Sequence, residues 1–148
     1  MRVHPTTALQ VEVGGRSGPC TRDPASAVSF TVDAALKPAD ACHCSICRKS
    51  SGHYAVGTDA PRSVVTIRGG EHVTWYRSSD KVRRGFCSTC GSPLFFDPIG
   101  RDWIGLQMGA FDKPTETHIH VHIFAADKGD YYELPDDGVP KFPQIPPQ

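Results

Sequence analysis

Residues 42–53 read CHCSICRKSSGH, a C-x-C motif and a C-x-x-C motif that share one cysteine. The stretch contains Cys42, Cys44 and Cys47 and continues directly into Arg48 and Lys49. Thiolate sulfurs at this spacing can reach one ion at about 2.3 Å, and zinc is the default metal for such a set. The stretch is therefore predicted to be half of a closed structural zinc knot or one side of an open, reactive zinc site.

A second cysteine pair, Cys87 and Cys90, lies in FCSTCG at residues 86–91, where a glycine follows the turn between the two thiols. If this pair joins two of the first three cysteines, one closed four-thiolate site forms. If the first three stay together, a fourth position is left for water or substrate, which distinguishes catalytic from structural zinc. Cys87, Cys90 and Cys20 then supply a second, structural site that still lacks one ligand.

The rest of the chain favours short strands over helices. Its 148 residues include 14 glycines and 13 prolines, which interrupt regular structure throughout. The one predicted helix covers residues 45–51 and is capped by Gly52, and the proline-rich tail from Leu134 is predicted to run extended over the surface. We expect a single domain, residues 1–148, built as a β-sandwich, a barrel or an open two-sheet structure. Strands are predicted at residues 9–13, 27–32, 54–57, 64–68, 73–77, 84–87, 94–96, 103–108 and 117–124.

Charge and hydropathy exclude several classes of protein. Sixteen Lys and Arg balance sixteen Asp and Glu, so no overall field favours nucleic acid or an anionic membrane. The basic cluster Lys81, Arg83 and Arg84 is predicted to be a solvated strand edge. Apolar runs are too short to cross a bilayer and the polar start lacks a signal sequence, so we expect a cytoplasmic protein whose cysteines stay reduced.

Three stretches together resemble the glutathione-dependent formaldehyde-activating enzyme family: CHCSICRKSSG, FCSTCGSPLFF and HIFAADKGDYYELPDDGVPKF. The resemblance covers about residues 27–142. It implies a β-tent fold of small antiparallel sheets, with one structural zinc and a second zinc that faces the substrate. It also implies carbon–sulfur lyase chemistry that joins glutathione to formaldehyde to give S-(hydroxymethyl)glutathione.

The resemblance also implies ligand sets for the two ions. Cys42, Cys44 and Cys47 would hold the substrate-facing zinc with one position open to a thiol, while Cys87 and Cys90 would share the structural zinc with an earlier C-x-C pair.

This chain departs from the family pattern at that earlier pair. Family members typically read G-G-C-x-C-G-A-V-x-F, whereas Gly14-Gly15 is followed here by RSGPCTRDPAS. Cys20 remains, and Arg22 stands where the second cysteine would be. We expect a retained but altered structural site, with Asp23 as a candidate fourth ligand; the alternative is a lost site in which Cys20 is a spare thiol.

Residues after the first motif are candidates for binding the substrate. Arg48 and Lys49 would offset the negative charge of a three-thiolate zinc and hold the carboxylates of a glutathione-like thiol. The plain alternatives are charge balance or a solvent position for the two cations, simple caps for Ser50 and Ser51, and a surface or packed position for His53. The full set of candidates is Arg48, Lys49, Ser50, Ser51 and Gly52 as donors, His53 as a proton shuttle, and His122.

Residues 117–123, THIHVHI, look like a metal triad but have the wrong spacing. Strand alternation would put His118, His120 and His122 on one face, with neighbours about 6.6 Å apart and the outer pair about 13 Å apart. At most two of them could then share an ion. The stretch is better interpreted as a half-buried strand that brings His122 near the site.

The leading hypothesis is a zinc-dependent carbon–sulfur lyase or synthase that acts on a thiol adduct, with glutathione or an analogue as partner. The alternatives are a specialised family member that acts on a larger sulfur-containing metabolite, and a zinc-stabilised binding module. The oligomeric state is left open, a homodimer included. The aromatic residues are predicted to pack in the core and sheets, with one or two walling the cleft: Phe95, Phe96, Trp103, Phe111, Tyr131 and Tyr132.

Overall fold

The computed structural model describes residues 9–13, by their backbone alone, and residues 27–147. The predictions for Cys20, Arg22 and Asp23 fall outside these ranges. The described ranges contain one α-helix, α1 (Ser45–Ser51), and four 3-10 turns at Arg62–Val64, Gly70–His72, Met108–Ala110 and Ala125–Asp127. They also contain ten strands: β1 (Leu9–Val13), β2 (Val28–Val32), β3 (Ala39–Cys42), β4 (Ala55–Pro61), β5 (Val65–Arg68), β6 (Val73–Arg77), β7 (Val82–Cys87), β8 (Pro93–Pro98), β9 (Trp103–Gln107) and β10 (Ile119–Ile123).

The strands form two sheets. The smaller sheet has the order β1-β2-β5, and the larger has the order β10-β3-β4-β9-β8-β7-β6. All the pairings are antiparallel except that of β10 with β3, which is parallel. This confirms the mainly β fold of small antiparallel sheets. No helix in the described ranges has the length and apolar character of a membrane-crossing segment.

The core includes one face of the smaller sheet. Strand β2 alternates strictly, so that Val28, Phe30 and Val32 are fully buried while the residues between them are not. The Phe30 ring lies 5.3 Å from the ring of Phe95 on β8 and 5.3 Å from that of Phe111, centroid to centroid. This aromatic contact links β2 to the larger sheet and fixes which face of that sheet is buried.

Strand β7 is an interior strand, so the edge predicted at Lys81, Arg83 and Arg84 is wrong, although Lys81 and Arg83 are exposed as predicted. It pairs with β6 on one side and with β8 on the other. Arg83 Nε donates to Asp97 Oδ2 at 2.6 Å, and Arg62 pairs with the other oxygen of the same carboxylate. Asp97 is only 2% exposed, and two guanidinium groups compensate its buried charge.

Helix α1 occupies the predicted residues. Cys44 is its N-cap and accepts a hydrogen bond from the Cys47 backbone N–H, 3.5 Å from the sulfur. Gly52 ends it with φ of 75°, a left-handed conformation that glycine adopts without strain. The cap explains why so short a helix forms beside the cysteines.

Two local features differ from the predictions. Strand β3 was not predicted, because KPADAC has no β-branched or aromatic residues; its pairing with β4 and β10 creates it. In β10 the register shifts between Ile119 and Val121, so the prediction of three histidines on one face is wrong. His122 is buried and contacts His43, whereas His120 is exposed and bonds to Asp40.

The proline-rich tail runs beside β10. His122 N–H donates to Pro140 O at 2.8 Å, and Phe142 N–H donates to His122 O at 2.9 Å. Further on, Ala125 N–H donates to Phe142 O at 2.9 Å. These bonds fix Phe142 against the edge of the larger sheet, on the side that faces the cysteines.

Candidate metal centre

Three cysteine sulfurs meet where β3 gives way to α1. Cys42 ends the strand, Cys44 caps the helix, and Cys47 lies buried in its first turn. Their Sγ atoms all lie within 4.8 Å of one another, and in the described ranges no other group of three or more such ligands does. Two sulfurs bound to one tetrahedral zinc lie about 3.8 Å apart, so small adjustments would bring all three onto one ion.

The thiols of this cluster differ strongly in acidity. Hydrogen bonds with Cys42 and Cys47 hold the pKa of Cys44 well below its usual range. Hydrogen bonds with Cys44 and Cys47, and to a lesser extent burial, raise the pKa of Cys42 far above the usual range of a cysteine thiol. Three adjacent thiolates repel one another, so full ionisation of the cluster needs a cation in its centre. The donor set fits a soft, thiolate-binding ion such as zinc.

Arg84 reaches the cluster from β7. Its Nη1 lies 3.9 Å from Cys47 Sγ, and its guanidinium carbon lies 5.2 Å from the centre of the Phe96 ring. Its Nε is buried without a hydrogen-bond partner among the described residues. Sequence reasoning placed Arg84 in solvent; the signal available was alternation along β7, which sends neighbouring residues Arg83 and Arg84 to opposite faces.

His43 anchors the cysteine loop from behind. It is 0% exposed and lies between Cys42 and Cys44 in the sequence. Its Nε2 is 2.9 Å from His122 Nδ1, and its Nδ1 is 2.8 Å from the Tyr132 hydroxyl. Sequence reasoning missed this role, since nothing in the C-x-C pattern says where the middle side chain points.

Burial keeps these histidines neutral. Burial and the nearby His122 lower the pKa of His43 to about 4. Burial likewise lowers the pKa of His122, although Asp137 opposes that effect. His122 Nε2 is 3.7 Å from the carboxylate of Asp137, which Lys141 also contacts at 3.0 Å. The loop that carries the cysteines is thus held by a buried, uncharged hydrogen-bonded chain.

The residues in and just after α1 that were predicted to bind the substrate differ in their contacts. Arg48 and Lys49 lie in the last turn, where cations interact favourably with the helix dipole, and Lys49 is exposed. The hydroxyls of Ser50 and Ser51 both donate to the Cys47 carbonyl, at 3.1 and 2.8 Å. The fifth, Gly52, accepts a hydrogen bond from the Tyr131 hydroxyl through its carbonyl.

His53 is exposed, and its ring packs against two tyrosines. Its centroid lies 4.2 Å from those of both Tyr54 and Tyr132. The ring therefore belongs to the aromatic cluster around His43. His53 lines neither of two cavities near the cysteines, which have volumes of about 780 and 740 Å³.

Cys87 and Cys90 lie apart from the first cluster. Cys87 is 1% exposed within the hydrophobic core, and Cys90 Sγ is 3.1 Å from Ser92 Oγ in the turn between β7 and β8. Burial raises the pKa of Cys90, but hydrogen bonds with Ser92 and Cys87 outweigh it and lower the pKa overall. In the described ranges the two cysteine clusters do not converge into one four-thiolate site.

Two cavities flank the cysteine cluster. The first has a volume of about 780 Å³, and Cys42, Cys47 and Arg84 line it. The second, of about 740 Å³, is bordered by Ser50 and Ser51 of α1. Arg84 lies on the wall of both cavities, as do Ala55 and Gln107. A guanidinium group thus stands at the junction of two spaces, next to the sulfurs.

Known proteins are similar to this chain in sequence or in fold. The family model described as glutathione-dependent formaldehyde-activating enzyme matches residues 16–127, a range that contains both cysteine motifs. A Halomonas elongata protein with the same family name is 31% identical over 109 residues, which cover 66% of this chain and 68% of the relative. A crystal structure of a Rhodobacter sphaeroides protein matches with a TM-score of 0.54 at 22% identity, covering 75% of this chain and 99% of that one. That structure shows a shared fold.

Proposed function

Because the chain belongs to the glutathione-dependent formaldehyde-activating enzyme family, we propose that it makes and breaks the carbon–sulfur bond of a thiol adduct. In the forward direction the thiol sulfur bonds to the carbonyl carbon of an aldehyde. The π electrons of the carbonyl move to its oxygen, and the thiol proton ends on that oxygen. The product is a hydroxyalkyl thioether, and the reverse reaction is the carbon–sulfur lyase step.

The observation that carries this proposal is the position of the three thiols. Cys42, Cys44 and Cys47 converge, and two of them line a cavity large enough for a substrate. Zinc held by these sulfurs would supply an open coordination position that lowers the pKa of an incoming thiol. A purely structural knot would gain nothing from a cavity beside its ligands.

The side chains of this protein have separate tasks in that scheme. Arg84, at the junction of the two cavities, is placed to hold negative charge that develops on the carbonyl oxygen. The buried chain of Tyr132, His43 and His122 keeps the cysteine loop in one conformation, which is needed for a preorganised site.

For the thiol, we propose glutathione or a close analogue, as the family name suggests. Arg48 and Lys49 remain candidates for its carboxylates, and Ser50 and Ser51 border the second cavity. We further propose that Cys87 and Cys90 hold a structural zinc together with Cys20.

Metal analysis beside an activity assay tests the proposal. Two zinc ions per chain are expected for the wild type, and Cys44→Ser should lose one of them together with the accelerated addition of glutathione to an aldehyde. Cys90→Ser is the matched control: it removes a thiol of the other motif, so it should also lose one zinc but should keep the accelerated addition. An unchanged zinc content in Cys44→Ser, or full activity without that zinc, would contradict the proposal.

A further inference from the structure

The cavity lined by Cys42 and Cys47 is far larger than a one-carbon aldehyde requires. Its volume of about 780 Å³ falls in the range of pockets that take drug-sized ligands. We propose that the carbonyl substrate of this protein is an aldehyde with an apolar, aromatic-sized group, and that this group lies in the cavity. The inference rests on the proposed function for the chemistry at the sulfurs.

The walls of the cavity are arranged for such a substrate. Charged or titratable side chains line part of the cavity, but most of its surface is hydrocarbon: the former are Lys37, Asp40, Asp59, Arg84 and His120. Phe96 and Trp103 stack at 6.0 Å with their rings 19° from parallel, which gives a flat aromatic surface. The apolar residues of the lining include Phe96, Trp103, Leu106, Ile123 and Phe142.

A polar substrate part would be poorly matched to this wall. Glutathione carries two carboxylates and an ammonium group, and charged groups placed against the Phe96–Trp103 surface lose hydration without gaining partners there. An apolar group placed there leaves water at a gain of about 25 cal/mol for each Å² buried. The hydrocarbon part of this cavity therefore suits the apolar group of the aldehyde.

The C-terminal tail completes the apolar wall. Phe142 exchanges backbone hydrogen bonds with β10 and the turn after it, through His122 and Ala125. Its ring therefore belongs to a fixed part of the cavity. A wall built in this way is present before any substrate arrives, which lowers the entropy cost of binding.

Arg84 connects the apolar cavity to the reacting atoms. Its Nη1 lies 3.9 Å from Cys47 Sγ, and Arg84 lines the cavity. A carbonyl group whose carbon approaches a substrate thiol bound at the cysteine cluster therefore has its oxygen near a cation. The atoms balance as in the proposed function: the new bond joins sulfur to carbonyl carbon, and the thiol proton moves to oxygen. No oxidant or further reactant is needed.

Kinetics with two aldehydes test the substrate class. With glutathione as the thiol and the zinc-loaded protein, kcat/KM for phenylacetaldehyde should exceed that for formaldehyde by about tenfold or more. Trp103→Ala should lower the value for phenylacetaldehyde by about tenfold and bring the ratio of the two aldehydes towards one. Trp75→Phe is the matched control, because Trp75 packs on the Phe95 side of the sheet and should keep the ratio.

Fluorescence supplies a readout that does not depend on activity. The chain has two tryptophans, so Trp75→Phe leaves Trp103 as the only reporter and Trp103→Phe leaves Trp75. The unreactive analogue 2-(4-nitrophenyl)ethanol should quench the fluorescence of Trp75→Phe saturably and should not do so in Trp103→Phe. Quenching should persist when Cys44→Ser is added to Trp75→Phe, since the wall does not include that thiol.

The outcomes separate this inference from the proposed function. Reaction with formaldehyde, slower reaction with phenylacetaldehyde and no saturable quenching of Trp103 would overturn the inference and leave the proposed function standing. Quenching of Trp103 without any accelerated reaction of either aldehyde would sink the proposed function, and the aldehyde assignment with it.

Discussion

Two neighbouring arginines on β7 have different physical roles. Arg83 bonds to the buried Asp97 and lies over the Trp75 ring at 4.1 Å, whereas Arg84 lies 3.9 Å from Cys47 Sγ. The cause is strand alternation, which sends consecutive side chains to opposite faces of the sheet. One residue of the pair therefore acts on stability, and its neighbour acts at the site.

The first prediction separates these two roles. Arg84→Met should lower kcat/KM by about 100-fold, because it removes the cation beside the reacting atoms, and should change the free energy of unfolding little. Arg83→Met should lower the free energy of unfolding, since Asp97 then keeps only Arg62 as a partner. Steady-state kinetics and urea unfolding on both variants check this; equal loss of activity in the two would refute the distinction.

Asp97 itself provides the second prediction. Asp97→Asn keeps the shape of the side chain but removes the charge that Arg62 and Arg83 share. We expect the free energy of unfolding to fall by about 1–3 kcal/mol, the usual range for charge-assisted hydrogen bonds lost at a buried site. Urea unfolding measures it. A matched Asp102→Asn variant at an exposed position should change little, and a similar loss there would show that the effect is unspecific.

At the scale of elements, α1 depends on its C-terminal glycine. Gly52 has φ of 75°, and a Cβ added there would meet nothing within 4 Å. Gly52→Ala should therefore cost about 1–2 kcal/mol from backbone strain alone. Gly109→Ala is the control, because that position is equally open and has no positive φ, so its effect should be close to zero. Thermal or urea unfolding of both variants decides; equal effects would rule out strain as the cause.

Elements whose boundaries are set by their own residues could be predicted from the sequence, and elements that depend on distant strands could not. Helix α1 was predicted because the signal for its end, Gly52, lies in its own sequence, and the structure adds Cys44 as its N-cap. Strand β3 was missed because its partners, β4 and β10, create it. The bulge in β10 could not be anticipated from alternation, since a register shift depends on the strand beside it.

The site shows the same division. The cysteine cluster was visible in the sequence because three ligands lie within six positions of the chain. Arg84 and His43 were missed because their roles depend on long-range contacts, to Cys47 across the sheet and to Tyr132 near the tail. The candidate metal ligands are thus close together in the sequence, whereas the contacts that surround them come from distant parts of the chain.

At the scale of the whole molecule, the larger sheet has two different faces. One face packs its aromatic rings against the smaller sheet through Phe30 and Phe95. The other carries Arg84, Phe96 and the cavity beside the cysteines. The core thus supports the site from behind, while the tail residues from 140 onwards close it from the side.

The fold buries His43 and His122, so the free energy of unfolding depends on pH. His122 is 1% exposed, burial lowers its pKa, and the groups that face it are His43, Asp137 and Lys141. In the unfolded chain a histidine titrates near 6.5, so on acidification the unfolded state takes up a proton before the folded state does. The contribution of neutral His122 to the free energy of unfolding is therefore fully present above pH 6.5. It is lost as the pH falls towards the lower pKa that His122 has in the folded protein.

The fourth prediction follows from that sign. The free energy of unfolding, measured with urea at several pH values from 7.5 to 4.5, should be nearly level above pH 6.5 and should fall below it. His122→Asn should reduce the slope below pH 6.5, because it removes a group that takes up a proton at higher pH in the unfolded state than in the folded state. Acid could also release a metal ion, so the same series is run on Cys44→Ser, in which the slope should persist. A slope that disappears in Cys44→Ser but remains in His122→Asn would assign the acid sensitivity to the cysteine cluster and contradict the prediction.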